Sequence, residues 1–495
     1  MNVKTNHTQK ALSGSLWMIS SNGGRQLLLV IMSIVLARIL LPDDFAAVAL
    51  VMAVLAVIEV ISQMGMSVAL IQKQNITNSM IDSVFSITLV LFLFGSLTLF
   101  LISNPISVYF ELPLLSPLIK LTAITVIVNG FISFYRSLLL RDMRYQVISI
   151  TEFFSFIVYG VIAVLIGLRG YGAYSIIWGH IGAAVSTLLI FIILRPYIPE
   201  SLGTIRHMVD MMKFGLWVSL GRLLDTASGQ FDRFLIGKVL SAQALGGYYL
   251  AQRMTTTIPV LITGAVDQVL LPIYSNAKND PQIIERGYWK GLRYSAILVV
   301  PVCLLIALYA RPLIWVFLGE RWLFIVPVVR ILSLFGAIHG LGGGIFASVV
   351  YASGVPQLNP VISGFRIIFL PICVLVGSRW DIEGVAWGLV CFGLAGRLFN
   401  QWLLTYYLSY DFIRFLKMIA LPVVANFCMV IVGIFLQSFI SLTSLISVLT
   451  LTIGCCITTL FIYILICRYT MNEEYQFIIR NFQKTVGIKR LYNGC

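Results

Sequence analysis

The sequence predicts an all-α integral membrane protein of about fourteen transmembrane helices: two six-helix bundles related by a parallel pseudo-two-fold repeat, plus two extra C-terminal helices. Three observations predict it. Of the 495 residues, 59% are hydrophobic and only 11% charged, whereas soluble domains carry roughly 25% charged residues. Apolar runs long enough to cross a bilayer, about 20 residues each, follow one another from Ala11 to Cys467 and leave no room for a soluble domain of ordinary size. Basic residues gather in short loops on alternate sides of these runs, which is the signature of membrane topology.

Taken in order, the chain begins with a short polar stretch, Met1 to Lys10, and its first apolar run has no small-residue cleavage pattern, so a removable signal peptide is not expected. Spans are predicted near 11–40, 45–71, 79–102, 113–138, 146–167 and 171–194, then near 209–240, 244–272, 292–311, 323–351, 357–377 and 383–409. Two more follow near 412–438 and 443–467. With the N-terminus in the cytoplasm, the tails and even-to-odd loops collect most of the 34 Lys and Arg. The clusters are Arg136, Arg141 and Arg144 after the fourth span, Arg195, Arg206 and Lys213 after the sixth, and Lys278, Arg286, Lys290 and Arg293 after the eighth. Both termini are then inside. The net charge of +14 is therefore a topology signal, and no nucleic-acid partner is expected. Arg480, Lys484, Lys489 and Arg490 make the C-terminal tail basic, as a solvated tail or one resting on anionic membrane lipids. The cysteines fall mostly inside apolar runs without metal-ligand spacing, so neither a metal nor a cofactor is expected.

Two echoes suggest the repeat. Leu16-Trp17 and Ala37-Arg38-Ile39-Leu40 return two hundred residues later as Leu216-Trp217 and Gly237-Lys238-Val239-Leu240. Gly172-Ala173-Tyr174 resembles Gly384-Val385-Ala386. A unit of six helices is even, so both copies enter the membrane in the same direction, as in transporters with a central site between two bundles. The expected division is a first bundle over 1–200, a second over 201–410, two additional helices over 411–467 and a basic cytoplasmic tail over 468–495.

Charges inside the spans point to a wet interior, because an ionised group at mid-bilayer costs at least about 2.5–3.5 kcal/mol. Arg25, Glu59, Arg222, Asp225, Arg253, Arg366 and Arg397 fall near the middle of their spans. Arg233, Arg330, Asp232, Asp267 and Lys120 lie nearer span ends, where long side chains can snorkel. On the seventh span Arg222, Asp225, Gly229 and Arg233 share one face, which either looks into a cavity or holds Arg222 and Asp225 as a neutralising pair. The arginines outnumber the acids, and a guanidinium fork suits phosphate. The expected substrate contacts are Arg25, Arg222, Arg253, Arg366 and Arg397; Glu59, Asp225, Arg233 and Arg330 line the cavity or couple transport, with Glu59 the candidate for a proton or sodium ion. No catalytic residue is expected. Gly340, Gly342, Gly343 and Gly344 follow no strand, so they predict helix packing or a hinge and not a phosphate loop. His180 and His339 are read as structural.

Several motifs carry a family resemblance. The run Ala37-Arg38-Ile39-Leu40-Leu41-Pro42-Asp43-Asp44-Phe45, followed by Gly65 and Ala69-Leu70-Ile71-Gln72, is the first. Leu140-Arg141-Asp142-Met143-Arg144-Tyr145, Asp232-Arg233 with Ile236-Gly237-Lys238, Ala244-Leu245-Gly246-Gly247-Tyr248 with Leu250-Ala251, and Leu318-Gly319-Glu320-Arg321-Trp322 follow in order. Together they resemble bacterial polysaccharide flippases of the polysaccharide-transporter family, of the colanic-acid-exporter type, within the multidrug, oligosaccharidyl-lipid and polysaccharide exporter superfamily. Ala46 stands where the family usually has Gly, and Gln63-Met64 where an acidic residue is frequent before Gly65. The resemblance implies export of a lipid-pyrophosphate-linked oligosaccharide across the bacterial inner membrane by alternating access. A multidrug antiporter of the same superfamily would share the fold but favours an excess of carboxylates. A membrane-embedded polymerase or ligase would carry a large periplasmic loop, and every predicted periplasmic loop here is short.

Overall fold

The computed structural model describes residues 23–72, 76–201, 204–276, 280–355, 357–437 and 445–470. The Leu16-Trp17 half of the first echo and the tail beyond residue 470 lie outside them, as does the side chain of Asp267. The described residues are helical, without strands. The first half runs through α1 (23–39), α2 (Pro42–Gln63), α3 (Met66–Gln72), α4 (Asn78–Tyr109), α5 (Leu115–Arg141), α6 (Tyr145–Leu168) and α7 (Tyr174–Leu194). There follow α8 (Ile205–Val239), α9 (Ala242–Asn276), α10 (Pro281–Leu308), α11 (Ala310–Phe317), α12 (Val326–Gly340) and α13 (Gly343–Ala352). The last four are α14 (Leu358–Gly377), α15 (Asp381–Leu408), α16 (Phe412–Gln437) and α17 (Leu445–Thr470). Helix meets every predicted span. Ten stretches of the described residues are long and apolar enough to cross a membrane, one of them taking in both α14 and α15. The 35-residue helices α8 and α9 are not among the ten.

Local chemistry sets the helix ends. Pro42 occupies the start of α2, where its missing N–H costs nothing. Asp44 in the first turn accepts from Leu41 N at 3.0 Å and from Ala173 N at 2.9 Å, so one carboxylate caps α2 and holds the turn before α7. Asp280 caps α10 by accepting from Gln282 N at 2.9 Å. The gap between residue 39 and Pro42 recurs between Val239 and Ala242, at the spacing of the first echo. The second echo differs: Gly172, at φ +52°, lies in the turn before α7, whereas Gly384 lies inside α15.

Three stretches depart from the predicted spans. The second breaks at Met64 and Gly65, with φ values of 36° and 68°. The tenth breaks between α12 and α13 at Gly342, with φ +86°, which makes the glycine run a backbone break. The short α11 and a 3-10 turn over Glu320–Ile325 occupy what reads as loop, because Tyr309, Ile314 and Trp322 are fully buried there.

The chain divides into two compact units, whose described residues fall within 1–253 and 363–388 for the first, and within 254–362 and 389–495 for the second. In the first, α6 packs on α7, α4 on α5, and α2 on α4, α5 and α8. In the second, α10 is central, against α12, α13 and α16. Its Tyr288, Trp289 and Leu292 form a core with Ile345, Phe346, Leu403 and Leu404. The C-terminal helices α16 and α17 belong to this unit, and α17 is fastened to it: Tyr463 donates to Ile297 O at 3.0 Å, and Tyr309 and Thr459 share a hydrogen bond of 2.9 Å.

Close backbone approach fixes one contact of the first unit. A Cβ on Gly246 would lie 1.9 Å from Pro42 O, so α9 meets the start of α2 backbone to backbone. Gly246→Val is expected to lower the thermal unfolding midpoint of the purified protein by several degrees, in line with the about 1–3 kcal/mol typical of overpacking. Gly264→Ala, on the same helix with nothing within 4 Å of the added Cβ, is expected to leave it unchanged or raise it. Equal midpoints for Gly246→Val and the parent would contradict the close approach.

Candidate functional site

In the first unit a cavity of about 450 Å³ opens among α1, α2, α5, α6 and α7. Arg25 reaches it from α1, Glu59 from α2, Thr125 and Asn129 from α5, Glu152 from α6 and His180 from α7. Glu152 accepts from Arg136 Nε at 3.0 Å and lies 3.7 Å from Arg25 Nη1. Arg25 thus has an internal carboxylate partner. Glu152 is absent from the charge balance drawn from the sequence, although it lies inside the predicted span 146–167; counting every acid in the spans would have found it. Glu59 is paired differently. Asn129 donates through Nδ2 to Glu59 Oε1, an amide in place of a counter-charge. His180 tilts against Tyr159 with ring centroids 4.7 Å apart, and Arg253 is close enough for its charge to act on both rings.

A second polar group lies along α8, α9 and the start of the first unit's part of α14. The alternative of an Arg222–Asp225 ion pair is not formed; Asp225 accepts instead from Ser363 Oγ of α14 at 3.0 Å. Arg366, one turn further along α14, lies over Gly229: a Cβ there would stand 3.4 Å from Arg366 Nη2. Neither Arg222 nor Arg366 has an ion-pair partner among the described residues. Arg233 donates to Gln230 at 2.6 Å and Gln252 at 3.1 Å, and its guanidinium lies 5.3 Å from the Tyr249 ring centroid. Arg253 donates to Tyr249 Oη at 3.0 Å. Asp232 is 4% exposed and accepts from Tyr248 Oη and Gln252 Nε2. Asp225 and Gly229 of α8 thus face Ser363 and Arg366 of α14, while Arg222 and Arg233 lie to either side along α8 and Arg253 on α9.

Arg397 and Arg330 belong to the second unit. Arg397, expected on a cavity wall, is 7% exposed and committed to the protein. Its Nη1 donates to Gly342 O at 3.2 Å, its Nη2 to Tyr288 Oη at 3.3 Å, and its guanidinium lies 5.3 Å from the Phe415 ring centroid. Gly342 O, which accepts from Phe346 N at 3.3 Å at the start of α13, thus also accepts from Arg397. Arg330 is exposed on α12. Among the described residues no group of His, Cys, Asp and Glu could hold a metal ion.

Residues 35–327 match the family described as polysaccharide biosynthesis protein. The chain belongs to this family. The match runs from the Ala37–Phe45 motif to the Leu318–Trp322 motif, which are the residues that carry the resemblance seen in the sequence. The chain is 25% identical over 438 residues to an uncharacterized membrane protein in the cps region of Klebsiella pneumoniae, covering 87% of this chain and 90% of the relative. It is 23% identical over 389 residues to the lipopolysaccharide biosynthesis protein WzxC of Escherichia coli (strain K12), covering 77% and 78%. Among solved structures, the lipid II flippase MurJ in an inward closed conformation superposes with a TM-score of 0.75 at 16% identity, covering 93% of this chain and 99% of that one. The fold is therefore that of this helical membrane transporter.

The geometry separates a structural arginine from an exposed one. Arg397→Met is expected to lower the unfolding midpoint and the yield of folded protein, since each charge-assisted hydrogen bond lost is worth about 1.5–3 kcal/mol. Arg330→Met is expected to leave both near the parent values. Indistinguishable thermal melts for the two variants would contradict the structural role of Arg397.

Proposed function

We propose that the chain is a flippase, which moves a polyprenyl-pyrophosphate-linked oligosaccharide across the bacterial inner membrane by alternating access for surface polysaccharide synthesis. The observation that carries this reading is the pair of guanidiniums without ion-pair partners among the described residues, Arg222 on α8 and Arg366 on α14, the latter over Gly229. A guanidinium within a bilayer span needs an anion, and the pyrophosphate of a lipid carrier offers one that binds both forks bidentately. Arg25 and Arg253 extend the basic lining, exchanging Glu152 and Tyr249 for substrate phosphate. Arg397 is outside this set, because Gly342 and Tyr288 already hold it. Membership of the polysaccharide biosynthesis family and relatives such as WzxC support the cargo class. A cation-extruding antiporter fits less well, since the Arg222–Arg366 face carries the wrong sign.

In the same proposal both termini are cytoplasmic, and the helices before and after residue 200 form two bundles that rock about the site. The repeated break at 39–42 and 239–242 supports that pairing. Alkaline phosphatase fused after Gly170 is expected to be active in the periplasm and inactive when fused after Cys495; activity at Cys495 would overturn the even number of crossings.

In the protein's own host with the gene deleted, Arg222→Ala or Arg366→Ala at normal expression is expected to reduce surface polysaccharide at least about tenfold, or ~1.4 kcal/mol. Arg→Lys at either position should restore only part of it, because an ammonium cannot grip phosphate as a fork. Full complementation by both Ala variants would overturn the phosphate role of these arginines.

A further inference from the structure

The core of the second unit holds a guanidinium with no carboxylate to answer it. Arg397 of α15 is 7% exposed and forms no ion pair among the described residues. Glu285, one turn before Tyr288 on α10, is engaged elsewhere, by Arg414 Nη1 at 3.1 Å and Trp289 Nε1 at 2.8 Å. The Phe415 ring beside Arg397 supplies a quadrupole and no net charge. A buried cation without a counter-charge is strongly destabilising.

A second positive end faces the same place. Helix α13 starts behind the backbone break, and its N-cap, Gly342, has no side chain to accept from the first amides. Arg397 stands against this N-terminus: its Nη1 donates to Gly342 O at 3.2 Å, and a Cβ on Gly342 would lie 3.1 Å from its Nη2. The start of a helix carries a partial positive charge and favours anions, so a guanidinium there is the wrong sign.

Buried donors are left over beside them. Arg397 Nε and Gln401 Nε2 have no hydrogen-bond partner. The two residues are one turn apart on α15, and both touch the Tyr288 hydroxyl, which accepts from Arg397 Nη2 at 3.3 Å and donates to Gln401 Oε1 at 2.6 Å. Those bonds fix the amide, because turned the other way Gln401 would leave the Tyr288 proton without an acceptor. Two buried N–H groups without acceptors are uncommon and ask for an explanation.

We infer that Arg397 Nε, Gln401 Nε2 and the N-terminus of α13 bind one small monovalent anion, of the halide class, in the core of the second unit. Every group left open at this point donates a proton or carries positive charge. One unpaired guanidinium matches one negative charge, and a sulfate or phosphate dianion would exceed it. A water would accept from the two N–H groups and leave the charge unanswered. A lipid-borne phosphate does not fit, since Tyr288 and Gln401 are fully buried. The anion would join α10, α13 and α15 across the break at Gly342, apart from the Arg222–Arg366 face, and the site rests on no assumption about the cargo.

The test uses the purified full-length chain in nanodiscs, exchanged into gluconate and free of lipid-linked substrate, so that its outcome is independent of the flippase reading. Radioactive chloride is expected to bind saturably, with bromide competing and sulfate not, and chloride to raise the unfolding midpoint above that in gluconate at equal ionic strength. Gln401→Glu keeps the oxygen that accepts from Tyr288 and puts a carboxylate in place of the anion. It is expected to weaken chloride binding at least about tenfold and to melt in gluconate above the parent in gluconate, with no further gain from chloride. Gln401→Met, which removes Nε2 without supplying a charge, should weaken binding by a similar factor. Arg311→Gln, which removes an exposed cation of α11, should bind as the parent does. Absence of saturable chloride binding would leave an ordered water only and overturn the site. So would chloride binding that survives Gln401→Glu, which would place the ion elsewhere, or displacement by sulfate in preference to bromide.

Discussion

A bilayer supplies no water to an ionised side chain, so each charge carried into it has to meet a counter-charge, a dipole or a wet cavity. That constraint organises the interior of this protein. Glu152 is shared by Arg25 and Arg136, and Asp232 is surrounded by Tyr248 and Gln252. Arg233 is held by Gln230 and Gln252 and covered by the Tyr249 ring. With these groups satisfied by neighbours, others stand out as having no ion pair among the described residues, among them Glu59, Arg222 and Arg366. Function is read from what the protein leaves unanswered.

The same constraint acts on the backbone. Where a helix breaks, its exposed carbonyls and amides need partners that lipid cannot give. At Gly342 the carbonyl that starts α13 by accepting from Phe346 N accepts also from Arg397, and at the start of α2 the Asp44 carboxylate takes the Leu41 amide. Arg397 therefore ties α15 to the break between α12 and α13. Seen this way, Gly342 and Arg397 form one structural element although they are 55 residues apart.

The helical membrane architecture was legible because bilayer thickness imposes a length and an apolarity that few other folds share. Breaks within spans were harder. Met64 and Gly65 lie in an uninterrupted apolar run, and only the left-handed backbone at those residues reveals the interruption. Individual charges were readable as positions and unreadable as partnerships: Arg25 and Arg397 look alike in sequence, yet one lines a cavity and the other is buried against Tyr288 and Gly342. Asn129 and Thr125 gave no signal at all, since neutral polar residues in a transmembrane helix most often bond within their own helix. Asp225 shows the limit of local reasoning, having a helical neighbour of opposite sign and a hydrogen bond elsewhere.

The bond from Ser363 to Asp225 has a consequence for how the chain is made. A ribosome delivers helices to the translocation machinery in order, so Arg25 and Arg136 precede Glu152, and Tyr288 and Gly342 precede Arg397. Glu152 and Arg397 find their partners already present, whereas Arg25 and Arg136 wait for Glu152. Asp225 waits as well, because Ser363 emerges 138 residues later. At about 5–20 residues per second, that is a wait on the order of ten seconds. During it α8 holds Arg222 and Asp225 without the hydroxyl that later steadies the carboxylate, which implies that α8 stays beside the translocon or the protein already inserted until α14 arrives.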